Sequence, residues 1–499
     1  MKNHILKSCL LSCIILSFTI SCSKQLNYIP ESYLSPEQVY SDEAGSIGGI
    51  TGIYKQYSSL KSGELALIGT IGTDEGRVSY FVPTWGGYWL QLSALNSYDN
   101  AQLSAQNQVI QYYWQGSYTT IGNANTAIKY LPSAAMNEDV RKKLLGEAKF
   151  IRALVYFNLV QLFGAIPMPT ETPNAKYDKD GYPRTPETEV YTLIKSDLIE
   201  AIQSLPSKSS ALPGHANKQA AQALLGKVFL TLKDYISAES TLRSLITDSE
   251  TGLMPDFADL FKEANENNKE SLFEVQFSTE TGFTQGLTNV LGSWNMASNR
   301  PGGGGHVALP TKYAVNIYSS LDTIRKNATL RHIYYDADGN PGLNWWWQDV
   351  GDPHIKKFEQ QDKQEAGQSS RNIYVLRLAD AILMYSEALN EMNQTAQALT
   401  YFNRIRDRAK VPYIEISLGR APTQLELRDS LVTERMKEFM FEGWRWFDLK
   451  RWGLLIEGTK QYNAAAVNIT SPKHLLYPIP FQEFQNNRTL KLEDQNPGY

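Results

Sequence analysis

Six tryptophans stand where nothing in the local periodicity asks for them: Trp85, Trp89, Trp294, Trp345, Trp346 and Trp347. They fall in two stretches, 60–108 and 280–372, that are rich in Gly, Thr, Tyr and Pro and show little helical period. Irregular insertions this long in a compact protein are usually functional. An indole offers a flat apolar face that complements the C–H face of a sugar ring, while amides, acids and guanidinium groups satisfy the hydroxyls. The candidate glycan-contacting set is therefore Asp74, Arg77, Trp85, Tyr88, Trp89, Asn100, Trp294, Asn295, Arg300, Trp345 and Trp346. Tethering a long loop to the body is the competing use for any one tryptophan. Trp345 to Trp347 are consecutive and cannot all face one way, so one or two of them are expected to be buried.

Bond-making chemistry has little support. There is no Gly-x-Ser-x-Gly, no His-Glu-x-x-His and no phosphate loop. Gly302 to Gly305 runs into His306-Val307 without the Lys-Ser/Thr that phosphate cradling needs. The six histidines are scattered without metal-ligand spacing, so no metal and no cofactor is expected. Glu438 and Glu442 share a helix face and resemble a glycosidase pair in type, but arginines surround them, which points to ion pairing. No catalytic residue is assigned.

The first 21 residues have the pattern of an export signal: Lys2 and Lys7, an apolar run from Leu10 to Ile20, and Ser21 before Cys22. The run is too short to span a bilayer. Of the three cysteines, Cys9 and Cys13 lie inside the leader. Cleavage before Cys22 leaves one cysteine at the first mature position, where bacterial lipidation acts and where no intramolecular disulfide is available. Thr19 replaces the commoner leucine three places before it. Leu10-Leu11-Ser12-Cys13 is a better local match, but cutting there leaves too short an apolar core. Two or more acyl chains make a stable anchor. With the leader and its two lysines gone, the −4 of the whole chain becomes −6, and no basic stripe is present, so nucleic acid is excluded as a partner.

The elements that must position these residues read as helices. Residues 22–45, with Pro30 and Pro36, are expected to be a linker from the lipidated cysteine. Beyond it the units 46–270 and 271–499 are expected to pack as one body. An internal repeat aligns Gly226 with Ser386, each twelve residues before an alanine (Ala238, Ala398). Phe229 and Leu389 each precede a bulky apolar residue by thirteen (Leu242, Phe402). These are the offsets of a tetratricopeptide-like helix pair, in which the small residue lets the helices approach. Val109 to Leu131 and Val140 to Phe163 are expected to pair likewise, the second half of the latter being apolar almost all round. Glu189 to Leu205 is a further helix, stopped by Pro206. Trp114, Trp444, Trp446 and Trp452 lie on predicted helices and read as packing residues.

The densest pattern runs from Glu434 to Trp452, with Met436, Phe439, Gly443 and Phe447 at helical spacing among Glu434, Arg435, Glu438, Glu442, Arg445 and Asp448. Offsets of three place Arg435 against Glu438 and Glu442 against Arg445. So many charges among aromatics imply ion pairs to other parts of the chain, a structural element and not a cleft. The run resembles the ER-x-x-E-x-x-x-E-G-x-R-x-x-D-L-x-R-W signature of the SusD/RagB family of outer-membrane lipoproteins. Tyr477-Pro478-Ile479-Pro480, Glu483, Asn487 and the closing Gln495-Asn496-Pro497-Gly498-Tyr499 support it. The resemblance implies a mostly α fold, with tetratricopeptide-like pairs in a right-handed superhelical scaffold carrying long irregular insertions. It also implies a non-enzymatic, surface-exposed outer-membrane lipoprotein that captures oligo- or polysaccharide for a SusC-like TonB-dependent transporter. A lipoprotein hydrolase or lyase, or a helical scaffold whose loops bind protein, are the alternatives.

Overall fold

The computed structural model describes residues 34–172, 181–293, 303–336, 338–345, 347–359 and 369–499. The helices that carry the architecture are α1 (Glu43–Ser62), α2 (Gly87–Ser97), α3 (Gln108–Tyr130), α4 (Glu138–Phe163), α5 (Glu187–Ser204), α6 (Lys218–Thr231), α7 (Tyr235–Ile246), α8 (Leu378–Glu391), α9 (Thr395–Ala409), α10 (Gln424–Phe439) and α11 (Arg445–Arg451). Helices α3 to α9 pack in series, each against the next, with α10 closing on α8 and α9. This is the mostly helical, tetratricopeptide-like scaffold expected from the sequence.

Local chemistry sets the helix ends. The side chain of Asn107 accepts hydrogen bonds from the Val109 and Ile110 amides at the start of α3, and Asn217 caps α6 through Ala220. Thr423 and Glu426 form a capping box on α10. The repeat offsets also have a direct structural cause. A Cβ on Gly226 would lie 2.5 Å from the Leu242 side chain, so α6 and α7 reach their spacing only with glycine there. In the second pair, Ser386 Oγ donates to the Ala398 carbonyl at 2.7 Å. From Gly146 to Phe163 nearly every residue of α4 is buried, as an all-round apolar helix must be.

Short strands pin the segments between helices. β1 (Gly76–Val78) pairs antiparallel with β3 (Ala308–Pro310), placing Arg77 opposite Leu309. β2 (Ser271–Val275) pairs antiparallel with β4 (Ile373–Arg377). One hydrophobic core runs from Tyr40 to Ile479 and takes in residues of both expected units.

Two expectations change. The linker was expected to run to residue 45, but Pro36–Val39 is already helical, α1 starts at Glu43, and Tyr40 is buried. A Ser35–Gln38 capping box and Pro36 at the first turn nucleate that helix. The stretch 60–108 is also less irregular than expected: Glu64–Ile68 and α2 are helices, so Tyr88 and Trp89 sit on a helix while Trp85 ends the 3-10 turn before it.

The signature run is two helices. Phe441 and Gly443 take left-handed backbone angles (φ 62° and 83°) between α10 and α11. This break overturns the expected pair of Glu442 with Arg445, and the expected pair of Arg435 with Glu438, although both lie within α10, gives way to partners on other segments. Arg435 instead reaches Asp380 and Asp448 (2.7 and 2.8 Å), and Arg445 clasps Asp74. The expectation of ion pairs to distant parts of the chain holds: Arg325, Arg377, Arg408 and Lys357 converge on Glu270, Glu434, Glu438 and Glu442, all buried. Burial pushes the Glu438 carboxyl up, but Arg408, Arg377 and Arg325 hold it down at about 2.

Candidate functional site

The two helices of the signature offer no cleft. A concave surface lies where β1 leads into α2. A cleft of about 300 Å³ is lined by Arg77, Tyr80, Thr311, Lys312, Gln348, Val350, Asp352, Tyr462, Asn463, Ala464 and Ala465. A smaller one of about 200 Å³ is lined by residues of 78–102 and by Ala465. Tyr80 and Ala465 border both, so the two join across the Tyr80 ring, which is 44% exposed.

Three segments build this surface. β1 carries Arg77, whose Nη2 reaches Asp349 (2.7 Å) and Asp352 (2.5 Å) and whose guanidinium sits 4.9 Å from the centre of the Tyr80 ring. The turn 347–352 supplies Gln348, Val350 and Asp352. The segment after Leu455–Tyr462 supplies Asn463, whose amide donates to the Thr73 carbonyl (2.8 Å) and to Asn96 (3.1 Å). The Tyr462 ring stacks on Tyr313 at 3.8 Å.

Next to the smaller cleft runs a line of aromatic rings. Phe81 meets Trp85 edge-on (5.2 Å), Trp85 meets Trp89 (5.3 Å), Trp89 meets Tyr88 (5.4 Å), and Tyr88 stacks towards Tyr112 (6.2 Å). Pro83 and Leu90, which line the cleft, are interleaved with them in sequence. Trp85, Tyr88 and Trp89 are half-buried against the core, while Tyr112 is 47% exposed. Burial, with Glu64 beside it, pushes the Tyr88 hydroxyl far above its ordinary range, so it stays protonated.

The residues expected to contact a ligand separate into groups. Arg77, Trp85, Tyr88 and Trp89 come together here. Asp74 does not: it is 2% exposed and both its oxygens bind Arg445 (2.8 and 2.6 Å), so it is corrected from a ligand contact to a buried counter-ion. Asn100 lies on the surface and accepts from Lys473 at 2.7 Å; it is not among the side chains lining either cleft. Trp345 is 65% exposed, on the segment that leads into the 347–352 turn. Trp294, Asn295, Arg300 and Trp346 lie outside the described residues, as does the lipidation candidate Cys22. Trp114, Trp444 and Trp446 are buried and Trp452 half-buried, as packing residues should be.

Sequence reasoning missed Tyr80, Asp352 and Tyr462. The Tyr80-Phe81 pair beside Pro83 was a visible aromatic signal. Tyr462 ends a short helix and nothing in its neighbours marks it.

Beneath the cleft, burial raises the Glu75 carboxyl to about 8 although the Phe441 amide donates to it (2.8 Å). Arg77, the cation at the heart of the cleft, is matched by Asp349 and Asp352. The surface thus sets the exposed Tyr80 and Tyr112 rings and the half-buried Trp85, Tyr88 and Trp89 beside amides, a hydroxyl and balanced charges, suited to a hydroxyl-rich ligand. Among the described residues no group of three or more His, Cys, Asp and Glu side chains could hold a metal ion.

Residues 312–499 match the SusD family model, and residues 85–230 match a model described as starch-binding associating with outer membrane. SusD-like protein P2 of Formosa agariphila is 28% identical over 97% of this chain and 98% of its own. The chain belongs to the SusD family. The starch-binding protein SusD of Bacteroides thetaiotaomicron is 24% identical, with 71% of this chain and 72% of that one aligned. A solved structure titled laminarin binding SusD-like protein superposes with a TM-score of 0.78 at 24% identity, covering 92% of this chain and all of that one. In this SusD-family chain one matched segment holds Trp85, Tyr88, Trp89 and Tyr112 of the aromatic line, α3 to α5 and nearly all of α6. The other holds the Glu434–Trp452 signature, whose arginines fix the floor of the cleft. Among the described residues no helix is long and apolar enough to cross a membrane.

Proposed function

We propose that the chain is a cell-surface glycan-binding lipoprotein, anchored through Cys22. It captures oligo- or polysaccharide and passes it to a SusC-like TonB-dependent outer-membrane transporter. The observation that carries this reading is the line Phe81–Trp85–Trp89–Tyr88–Tyr112 beside two clefts joined at Tyr80. Sugar rings stack on such faces, each contact contributing on the order of 1 kcal/mol, and Gln348, Lys312 and Asp352 at the rim meet hydroxyls. Relatives named for starch and laminarin binding support the ligand class. The part played is capture and not catalysis, because the acidic residues of the signature are locked in ion pairs and those at the cleft face Arg77. Affinity per site is modest, since an open surface leaves part of the ligand in water.

The test is affinity electrophoresis of the purified chain in gels containing plant, host-mucin and microbial polysaccharides, with reducing ends assayed in the same mixtures. Retardation by one glycan class without new reducing ends is expected. New reducing ends would replace the capture reading with a hydrolase, and retardation by none of the panel would remove the glycan reading.

A further inference from the structure

The 347–352 turn that walls the larger cleft is held by a chain of buried polar groups. Asp349 is fully buried and receives Ser79 Oγ–H (2.6 Å), the Arg77 guanidinium (2.7 Å) and the Nε2–H of His306 (3.1 Å). His306 Nδ1 faces His354 Nε2 at 2.8 Å, and His354 Nδ1 faces the Tyr334 hydroxyl at 2.5 Å. Asn344 Nδ2 donates to the Asp349 carbonyl (2.7 Å) and the Gly351 amide to the Asn344 carbonyl (2.7 Å), closing the turn on itself. His306 and His354 are 0% and 1% exposed.

Each contact in this line has room for one hydrogen, which fixes the proton order. Asp349 as a carboxylate requires His306 to carry its proton on Nε2. His306 Nδ1 then accepts, so His354 carries its proton on Nε2, and His354 Nδ1 accepts from Tyr334. With both imidazoles neutral every donor meets an acceptor. One further proton can enter only if Tyr334 turns its hydrogen to the Arg331 carbonyl, 3.0 Å away, and accepts from His354. A second would set N–H against N–H across 2.8 Å.

We propose that His306 and His354 are positioning residues for the glycan cleft: they clamp the 347–352 wall to the Arg77 strand while neutral, and the clamp loosens when the pair takes up protons. The consequence for ligand rests on the glycan reading above. The groups facing the pair are Arg77 on β1, Asp349 and Asp352 on the turn, and Tyr334 and Arg331 on the segment before it. Arg331 is paired with Glu359. Burial, then His306, Arg77 and Arg331, lower His354 well below its ordinary value, with Asp349 opposing, while burial pushes Asp349 up but His306, Arg77 and Ser79 hold it at about 2. The clamped state therefore excludes the second proton. A released histidine titrates near ~6.5. Acid thus favours release by up to tenfold per pH unit, about 30-fold for the one excluded proton between pH 7.5 and 5.0.

Hydrogen exchange on the unliganded chain reads this without a glycan. Protection of the 303–310 and 347–356 amides, corrected for the intrinsic pH dependence of exchange, is expected to fall by about 30-fold from pH 7.5 to 5.0 while α4 stays flat. His306→Gln/His354→Asn, which keeps neutral donors and acceptors, is expected to abolish the pH dependence. If that variant does not fold, the wild-type profile alone decides. Protection in these segments that is constant with pH, or a fall shared equally by α4, overturns the clamp. Polysaccharide binding at pH 7.5 is scored separately: its absence removes the glycan reading and leaves the exchange result standing.

Discussion

Replacing Asp74 by asparagine separates a structural charge from a ligand contact. Asp74 accepts from Arg445 Nε and Nη2 at 2.8 and 2.6 Å, and both side chains are almost fully buried. Asparagine keeps the shape and one acceptor, but its NH2 faces a guanidinium that only donates, and the guanidinium keeps its charge without a counter-ion. Breaking a buried pair from one side costs about 3–5 kcal/mol. Unfolding entropy of about 2.1 cal/mol/K per residue comes to roughly 1 kcal/mol/K for a chain of this size, so Tm should fall by about 3–5 °C. Removing the Asp74 charge also takes away one of the influences that raise Glu75, whose ionisation then offsets part of the loss, so the drop should be larger at pH 6 than at pH 8. The assay is differential scanning calorimetry at both pH values, with polysaccharide affinity measured at 20 °C. Affinity should stay within about twofold, because Asp74 lies under the cleft and not in it. An unchanged Tm together with a tenfold loss of affinity would falsify this reasoning and return Asp74 to the ligand.

Tyr80→Ala and Trp89→Ala should each weaken binding of the retained polysaccharide by about tenfold, the equivalent of one stacking contact, with the helical circular dichroism unchanged; wild-type affinity in both would remove the proposed surface. Glu75→Gln should raise stability by about 2–3 kcal/mol at pH 7, where burial makes the ionised carboxyl unfavourable, and by little at pH 4.5, so denaturant midpoints at the two values must diverge. Glu434, Glu438, Glu442 and Asp448 are held below their ordinary values, so the stability they contribute is present above about pH 4.5 and is lost as pH falls towards 2; Tm should decline steeply through that window. Cys22→Ala should release the protein from the membrane fraction, and retention on membranes would point to anchoring through a partner.

The scaffold was legible because its signals are local. Gly226 with Ala238 and Ser386 with Ala398 encode close helix approach within a few turns of chain, and the all-round apolar stretch of α4 encodes burial in itself. The signature was legible as an ion network but not in its pairing, since Phe441 and Gly443 break the helix ahead of Arg445, and Arg435, still within α10, turns to Asp380 and Asp448, partners read only in three dimensions. At the site, Trp85 and Trp89 stood out because indoles in weakly periodic sequence are conspicuous. Asp74 misled because its neighbours look like a loop, while its partner lies 371 residues away. Tyr462 and Asp352 gave no signal, for their role comes from segments brought together by strand pairing at Arg77 and Leu309.

The contacts between the signature turn and the start of the fold fix when the molecule can be completed. Lys61 Nζ donates to the Glu442 carbonyl (2.8 Å), the Trp446 amide to Gly69, the Phe441 amide to Glu75, and Asn463 to Thr73. A Cβ at Gly69 would lie 2.1 Å from the Gly443 oxygen, so the two backbones touch with nothing between them. The closing residues fasten α4 in the same way, Asn496 donating to the Phe163 carbonyl at 3.0 Å and the Tyr477 amide to Leu162 at 2.8 Å. A nascent chain stopped short of the signature turn therefore leaves the Glu75 carboxyl, Asp74 and Lys61 without these partners, and loses the floor on which β1 rests. The earliest-made part of the cleft waits for the last-made part of the chain. Such long closures slow assembly, and they make the ligand surface a test of full-length synthesis: a truncated product presents no cleft for a glycan to occupy.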